Sequence, residues 1–502
     1  MSDVIVIGSG LGGLECAYIL ARHGMKVTVL EQDSFIGGCL GTFRRGDTVF
    51  DTGFHYVGGL GEGEPLYSLF KYFDLLDLPW QRLDTECFDE VVIGDEAFPL
   101  ANGHRRFAER LSEHFPSERE SIEKYTCFLK DVGEHIFDVF RKGSSGPSPL
   151  FARSAYEYLN STVKDSLLRK VLSGTSLKME LRADTLPLYV FAQINNSFIQ
   201  SAWRLRGGGS QIADRIADNI RAMGGEIRTG AAVTSMKGSN GRISEVTVNN
   251  EESLSADWII SGAHPAFTIS LIEDNVCLRN IYRDRISSLQ NTYGMFTANI
   301  RLKKGMMPYR NSNMYVHRPD TDLWRADPSS VGSVMVSWAV PPDGSDTAES
   351  IDILAPMGWN EVKEWADRPR GRRGDDYVRF KSDRTEACLE TVGRRLPGLR
   401  DAIDGIFTSS PLSYSSHTSS VEGSAYGIRK DCNNVMTTVL APRTPVPNLL
   451  LTGQSLNLHG ILGVSVTSFL TCMEILGPGI AGPVLDNYND CKRSITKKNR
   501  IL

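Results

Sequence analysis

The sequence predicts an α/β fold organised on a parallel, dinucleotide-binding sheet, and three observations predict it. The apolar run Val4-Ile5-Val6-Ile7 ends at Gly8-Ser9-Gly10-Leu11-Gly12-Gly13, as a buried parallel strand feeding a glycine-rich turn does. A stretch rich in Leu, Ala and Tyr leads from there to a second apolar run, residues 26–30, closed by the acid Glu31. Near the far end a third apolar run, 449–451, enters Thr452-Gly453-Gln454 and then a helical pattern that opens with small residues.

In the first unit each glycine has a distinct task. Gly8 permits the tight turn, Gly10 lets the backbone approach a pyrophosphate, and Gly13, beside Gly12, lets helix and strand pack closely, so that the helix N-terminus faces phosphate charge. Glu31 stands where a carboxylate accepts the hydroxyl hydrogens of an adenosine ribose and repels a 2′-phosphate. Strand, glycines, helix, strand and acid in this order form a βαβ dinucleotide fingerprint. A second glycine pair, Gly37-Gly38, follows directly and has no use in a nicotinamide-binding unit. In flavoproteins of the two-dinucleotide-binding type such a pair lets the chain pass close to the cofactor, with Thr42 in reach of a phosphate oxygen. Gly53, within Asp51-Thr52-Gly53-Phe54-His55-Tyr56, again suggests backbone close to a flat group.

From 66 to about 195 the pattern turns mostly helical. Pro116-Ser117-Glu118-Arg119-Glu120 reads as a capping box, and Ile122, Tyr125, Leu129, Val132, Ile136 and Val139 continue it as one long amphipathic helix. Residues 143–149 break it, and helical pattern resumes over 151–171. These apolar stripes fit core packing, a helical lid over an apolar tunnel, or a surface that dips into a bilayer interface.

The α/β pattern returns at 207. Ser210 is the expected N-cap of a helix with Ile212, Ala213, Ile216, Ala217, Ile220 and Met223 on one face. A strand at 226–229, a hairpin of 233–236 and 242–248 around Asn240-Gly241, and a buried strand at 258–261 follow. The nucleotide-binding part is therefore expected to be interleaved with the rest: 1–75, 205–266 and 441–490 against a substrate-binding part of 76–204 and 267–440. The latter holds alternating strands such as 331–340 and a helix over about 383–396. In the last stretch, small residues at the start of a helix that Gly477-Pro478 stops allow close approach of a planar ligand, and the helix dipole favours negative charge there.

The chain of 502 residues, 41% apolar, is long enough for two or more domains. Lys+Arg 55 against Asp+Glu 60 leaves net −5 and no field for nucleic acid. Nine cysteines without a CxxC or a Cys/His cluster indicate neither a disulfide framework nor a metal site, and a reducing cytoplasm is the expected compartment. No apolar run reaches the roughly 18 residues of a spanning helix, which leaves a peripheral membrane contact open; the basic tail Lys492, Arg493, Lys497, Lys498 and Arg500 fits either that or a frayed end. The run 368–373, rich in arginine beside Asp375-Asp376, reads as a solvated loop.

GSGLGGLECA, the acid followed by a glycine pair, FDTGFHYVGG and LTGQSLNLHGILGVSVTS together resemble the phytoene desaturase, carotenoid isomerase and retinol saturase group of FAD-dependent enzymes, closest to its bacterial retinol-saturase-like branch. The resemblance is specific over roughly the first 80 and last 55 residues. It implies a glutathione-reductase-type Rossmann FAD domain, an interleaved α+β substrate domain with a helical lid, and a long apolar polyene or isoprenoid substrate. The implied FAD contacts are Gly8, Gly10, Gly12, Gly13, Glu31, Gly37, Gly38, Thr42, Gly53, Val233, Gly453, Gln454, Gly463 and Val464. Gln454 stands where many relatives have Asp. His55, Tyr56 and His459 fall in cofactor-proximal segments and are the candidates for proton handling. No second GxGxxG follows a strand, so the redox partner stays open. Saturation of a C=C bond leads, ahead of desaturation and cis-trans isomerisation; a flavin amine oxidase, or a non-enzymatic prenyl-binding chaperone of the Rab GDP-dissociation-inhibitor type, are the alternatives.

Overall fold

The computed structural model describes residues 2–142, 147–273, 276 and 278–501. Its organising element is a five-stranded parallel sheet in the order Glu226–Arg228, β2 (Val27–Leu30), β1 (Ser2–Ile7), Ala256–Ser261 and Leu449–Leu451. The register places Ile5 between Thr28 and Ile259. Side chains of β1 alternate between two cores. Val4 and Val6 pack with Leu14 of helix α1 (Leu11–Arg22), Ile212 and Phe469, whereas Ile5 and Ile7 pack with Met236 and Val246 of the meander that follows Glu226–Arg228. Each such buried aliphatic side chain contributes about 1.5–3 kcal/mol.

The second layer is a seven-stranded sheet ordered Ile403–Ser409, Gly294–Leu302, Ser350–Met357, Ser333–Trp338, Asn313–His317, Asp89–Ile93 and Glu96–Leu100. All neighbours are antiparallel except Asn313–His317 with Asp89–Ile93. Strand alternation divides its side chains too. Phe296, Val336 and Ile353 pack under the helix Asp375–Gly393, and Met295, Tyr315, Met335 and Leu354 face the opposite way, into the core shared with the first sheet.

Several expectations are corrected here. The stretch 66–195 is mostly helical, as expected, but it also holds a hairpin of Asp89–Ile93 and Glu96–Leu100 turned at Gly94 (φ +61°). The long helix starts at Arg119 and stops at Glu134, with Asp138–Lys142 separate. Its expected capping box does not form: residues 116–118 make a 3₁₀ turn, and Glu118 instead accepts the Lys164 and Asp165 amides at 2.9 and 2.6 Å. Over 151–171 the pattern splits into Ala155–Thr162 and Ser166–Ser173, capped by Ser154 and Asp165. Ser210 is the first helical residue rather than the cap; Gly209 precedes it and gives its N–H to Asp51 at 2.7 Å, while Met223 lies beyond the helix end and is exposed. The helix expected at 383–396 begins at Asp375, where Gly374 (φ +94°) turns the chain and two aspartates face the positive end of the helix. The strand expected over 331–340 is Ser333–Trp338. The arginine run is a surface loop tied by Arg368 to Asp376 at 2.8 Å. Residues 143–146 of the helix break, and the side chains of Lys497, Lys498 and Arg500, lie outside the described residues.

Among the described residues no helix is long and apolar enough to cross a membrane, and no group of His, Cys, Asp and Glu is arranged to hold a metal ion.

Candidate active site

A cavity of about 420 Å³ is lined by residues of both sheets, among them Glu31 beside the first and Met335 of the second. Its first wall is made by the glycine turns. Gly8 (φ +91°) ends β1, and α1 begins at Leu11 with no side chain capping its free amides. A Cβ on Gly10 would meet nothing within 4 Å, so the space in front of those amides is open. A Cβ on Gly12 would lie 3.1 Å from the Gly453 Cα, which closes the first and last segments together. Gly37 and Gly38 complete this wall; the Gly37 amide donates to the Ser9 carbonyl at 3.0 Å. Donor-rich backbone around a space that only glycine leaves free fits a pyrophosphate.

Glu31 is buried at the cavity edge. One of its oxygens accepts the Ser9 amide at 2.9 Å and the Ser9 hydroxyl at 2.6 Å, and the other accepts the Asp33 amide at 2.9 Å. It therefore braces the glycine turn as well as offering carboxylate to a ribose. Gly53, Val233, Gly453, Gln454 and Val464 also line the cavity. Three expected contacts do not. Thr42 has its hydroxyl engaged with Ser210 at 3.3 Å and lies outside the cavity lining. Gly13 lies against the Gly8 carbonyl and Gly463 against the Leu458 carbonyl, where a Cβ would collide; both act by close packing behind the wall.

The opposite wall is apolar, with Met295, Met335 and Leu354 from the second sheet and Ile194 and Phe198 from the helix Leu188–Gln200. Lys178 also lines the cavity, paired with Asp89 behind the wall. Lys178 Nζ lies 2.7 Å from Asp89 Oδ2 and 4.3 Å from the Phe198 ring centroid, with side chains 5% and 0% exposed. Tyr56 donates to the same Asp89 oxygen at 2.9 Å and lies 2.6 Å from the Tyr315 hydroxyl. Since the single Tyr56 proton goes to Asp89, Tyr315 donates to Tyr56. Asn313 donates to the other Asp89 oxygen at 2.8 Å. Burial, then the Asp89 charge, holds the Tyr56 phenol well above its ordinary value, so it stays protonated.

The two histidines differ. His55 Nδ1 is 3.5 Å from Asp352 Oδ2, Asn299 fixes the other Asp352 oxygen at 2.6 Å, and His55 Nε2 is buried without a hydrogen-bond partner at the cavity wall. His459 Nε2 donates to the Lys178 carbonyl at 3.0 Å, and its ring lies 4.5 Å from that of Tyr426. Burial pushes His459 down to about 4, so at neutral pH it is uncharged and its one proton is engaged. Asp89, Lys178, Tyr315 and Asp352 went unnoticed in the sequence, for they sit in separate segments with no motif spacing.

A two-sheet fold closed around such a cavity defines an FAD-dependent oxidoreductase. Residues 11–266, 256 of the 502, match the family described as flavin containing amine oxidoreductase, and the chain belongs to that family. It is homologous to the retinol 13,14-reductases and prolycopene isomerases. It is 27% identical to all-trans-retinol 13,14-reductase of Homo sapiens, across 99% of this chain and 89% of that one. It is 23% identical to the chloroplastic prolycopene isomerase of Daucus carota, across 80% and 68%. The solved structure of putrescine oxidase bound to putrescine shares the fold, with a TM-score of 0.63, 16% identity and coverage of 95% and 99%.

Proposed function

We propose that this chain binds FAD noncovalently along the glycine wall and acts on a carbon–carbon double bond of a long apolar, polyene-like substrate, with saturation as the favoured direction. The observation that carries the reading is one cavity lined both by the donor-rich glycine turns and by aliphatic and aromatic side chains. Glu31 would hold the adenosine ribose, the α1 amides around Gly10 the pyrophosphate, and Gly453, Gln454 and the start of the helix Gly460–Leu476 the ring end. When bound, FAD supplies a donor and acceptor of hydride, which needs no protein nucleophile. The chain's own contributions are to exclude water with Met295, Met335 and Leu354, and to hold a proton at His55 Nε2, oriented from behind by Asp352. The direction rests on the retinol 13,14-reductases among its homologues.

An amine oxidase is the second reading, favoured by the likeness to putrescine oxidase. Lys178, the lysine at the cavity wall, speaks against it, since its ammonium is committed to Asp89 rather than to a water in the cavity. Acid precipitation of the purified protein is expected to release its yellow colour as FAD. Anaerobic incubation of the reduced enzyme with a retinoid and carotenoid panel should then give a product two hydrogens heavier, with oxidised flavin. A product two hydrogens lighter from the oxidised enzyme would reverse the direction, and rapid amine oxidation with peroxide release would replace the substrate class.

A further inference from the structure

Behind the cavity wall lies a buried cation that neither the Lys178–Asp89 pair nor the His55–Asp352 pair involves. Lys430 is 8% exposed, and its Nζ donates to the Ser455 carbonyl at 2.7 Å and the Ile428 carbonyl at 3.2 Å. Among the described residues no carboxylate pairs with it; the nearby Glu180 is taken by Arg429, through two guanidinium nitrogens at 3.1 Å. Most buried lysines stay charged only beside an anion. Burial alone pulls this one down to about 7.

The backbone that Lys430 holds is the cavity wall itself. Ser455 follows Gly453 and Gln454, and all three line the cavity. Gly427, on the segment that carries Lys430, packs so tightly on this loop that a Cβ there would lie 3.2 Å from the Ser455 Cα. Lys430 also lies close enough to His264 and His459 for its charge to depress both, after burial, to about 4. Both histidines line the cavity and stand at helix N-caps, of Pro265–Ser270 and Gly460–Leu476. With those rings neutral, positive potential on this side of the cavity comes from the protonated form of Lys430 and from the amide end of the Gly460–Leu476 helix. The missing counter-charge is one that a ligand would bring.

We propose that Lys430 is a positioning residue for the bound flavin: it fixes the Gly453–Ser455 loop through the Ser455 carbonyl and places behind it a positive charge that favours the negatively charged, reduced cofactor. The proposal rests on the FAD reading above and adds the residue that tunes it.

The test is the redox equilibrium of FAD-loaded protein against a reference dye, for the native chain, Lys430→Gln and Lys430→Arg. Glutamine keeps a donor for Ser455 and removes the charge; arginine keeps the charge. In Lys430→Gln the ratio of reduced to oxidised flavin at a fixed dye potential is expected to fall about tenfold, equivalent to a two-electron potential lower by about 30 mV, while Lys430→Arg stays near the native ratio. If Lys430→Gln fails to load FAD, Lys430→Met provides the same loss of charge. A native ratio in the uncharged variant overturns the proposal, as does an equal fall in Lys430→Arg, which would mark a packing role. Native protein that binds no FAD would instead overturn the underlying reading, before any variant is compared.

Discussion

Asp89 is fully buried and accepts hydrogen bonds from Lys178, Tyr56 and Asn313, so the two members of the Asp89–Lys178 pair are not equivalent. Asp89→Ala leaves an ammonium buried without an anion and is expected to cost on the order of 3–5 kcal/mol. Lys178→Met should cost less, because the carboxylate keeps two donors. Denaturant midpoints of the two variants decide it, and the reverse order would mean that Lys178 finds another partner. At this scale the sequence was legible where chemistry is written in consecutive residues. Gly8, Gly10 and Glu31 belong to one short unit, and their order carries their meaning. Asp89, Lys178 and Tyr315 meet only through tertiary packing; Leu177-Lys178-Met179 in itself shows a lysine between apolar neighbours and nothing more.

Two helices meet at the nucleotide end, α1 and Gly460–Leu476, and a carboxyl lies between them. Glu15 is 0% exposed, and its oxygens accept the Ser465 and Ser468 hydroxyls at 2.6 and 3.0 Å. Burial pushes its carboxyl from 4.5 up to about 8, against the smaller effect of the two hydroxyls. Below pH 4.5 both folded and unfolded chains hold the proton. From there to about 8 the unfolded chain ionises while the folded chain keeps its proton, so this stability is lost as pH rises through the folded value. In Glu15→Gln the amide oxygen accepts from one serine hydroxyl and the amide N–H donates to the other serine oxygen, without ionisation, and its thermal midpoint should overtake that of the native chain as pH rises through this window. A constant difference at all pH values would contradict a protonated Glu15. The helix Gly460–Leu476 itself was readable from its small first turns and its Gly477 stop, as was the 233–248 hairpin from Asn240-Gly241. The hairpin Asp89–Ile93 with Glu96–Leu100 was not: it stands among strong helical periodicity, and its apolar run is too short to separate a strand from a buried helix turn.

Across the whole molecule the chain passes repeatedly between the two sheets. The five-stranded sheet takes strands from both ends and the middle of the sequence, and the seven-stranded sheet joins a hairpin at 89–100 to strands from 294 onward. That the nucleotide pattern resumes after 207 could be read from strand and helix periodicity; the return of 89–100 to the second sheet could not, since strand pairing across some two hundred residues leaves no local trace. One large core takes side chains from both sheets and from the helices between them, including Val6, Phe191, Tyr315 and Leu354. The cavity is lined by the same three groups, so a ligand that fills it touches every layer. Binding to the folded state alone stabilises by RT ln(1 + [L]/Kd), about 2.7 kcal/mol at a hundredfold excess over Kd. If the layers unfold together, FAD added to protein stripped of it should move a single calorimetric transition upward as a whole. If the second sheet and its helix Asp375–Gly393 melted on their own core, the scan would show two transitions and FAD would move one of them. The shared core and the ligand-spanning cavity favour the first outcome, because unfolding either sheet exposes Met295, Tyr315 and Leu354 to water.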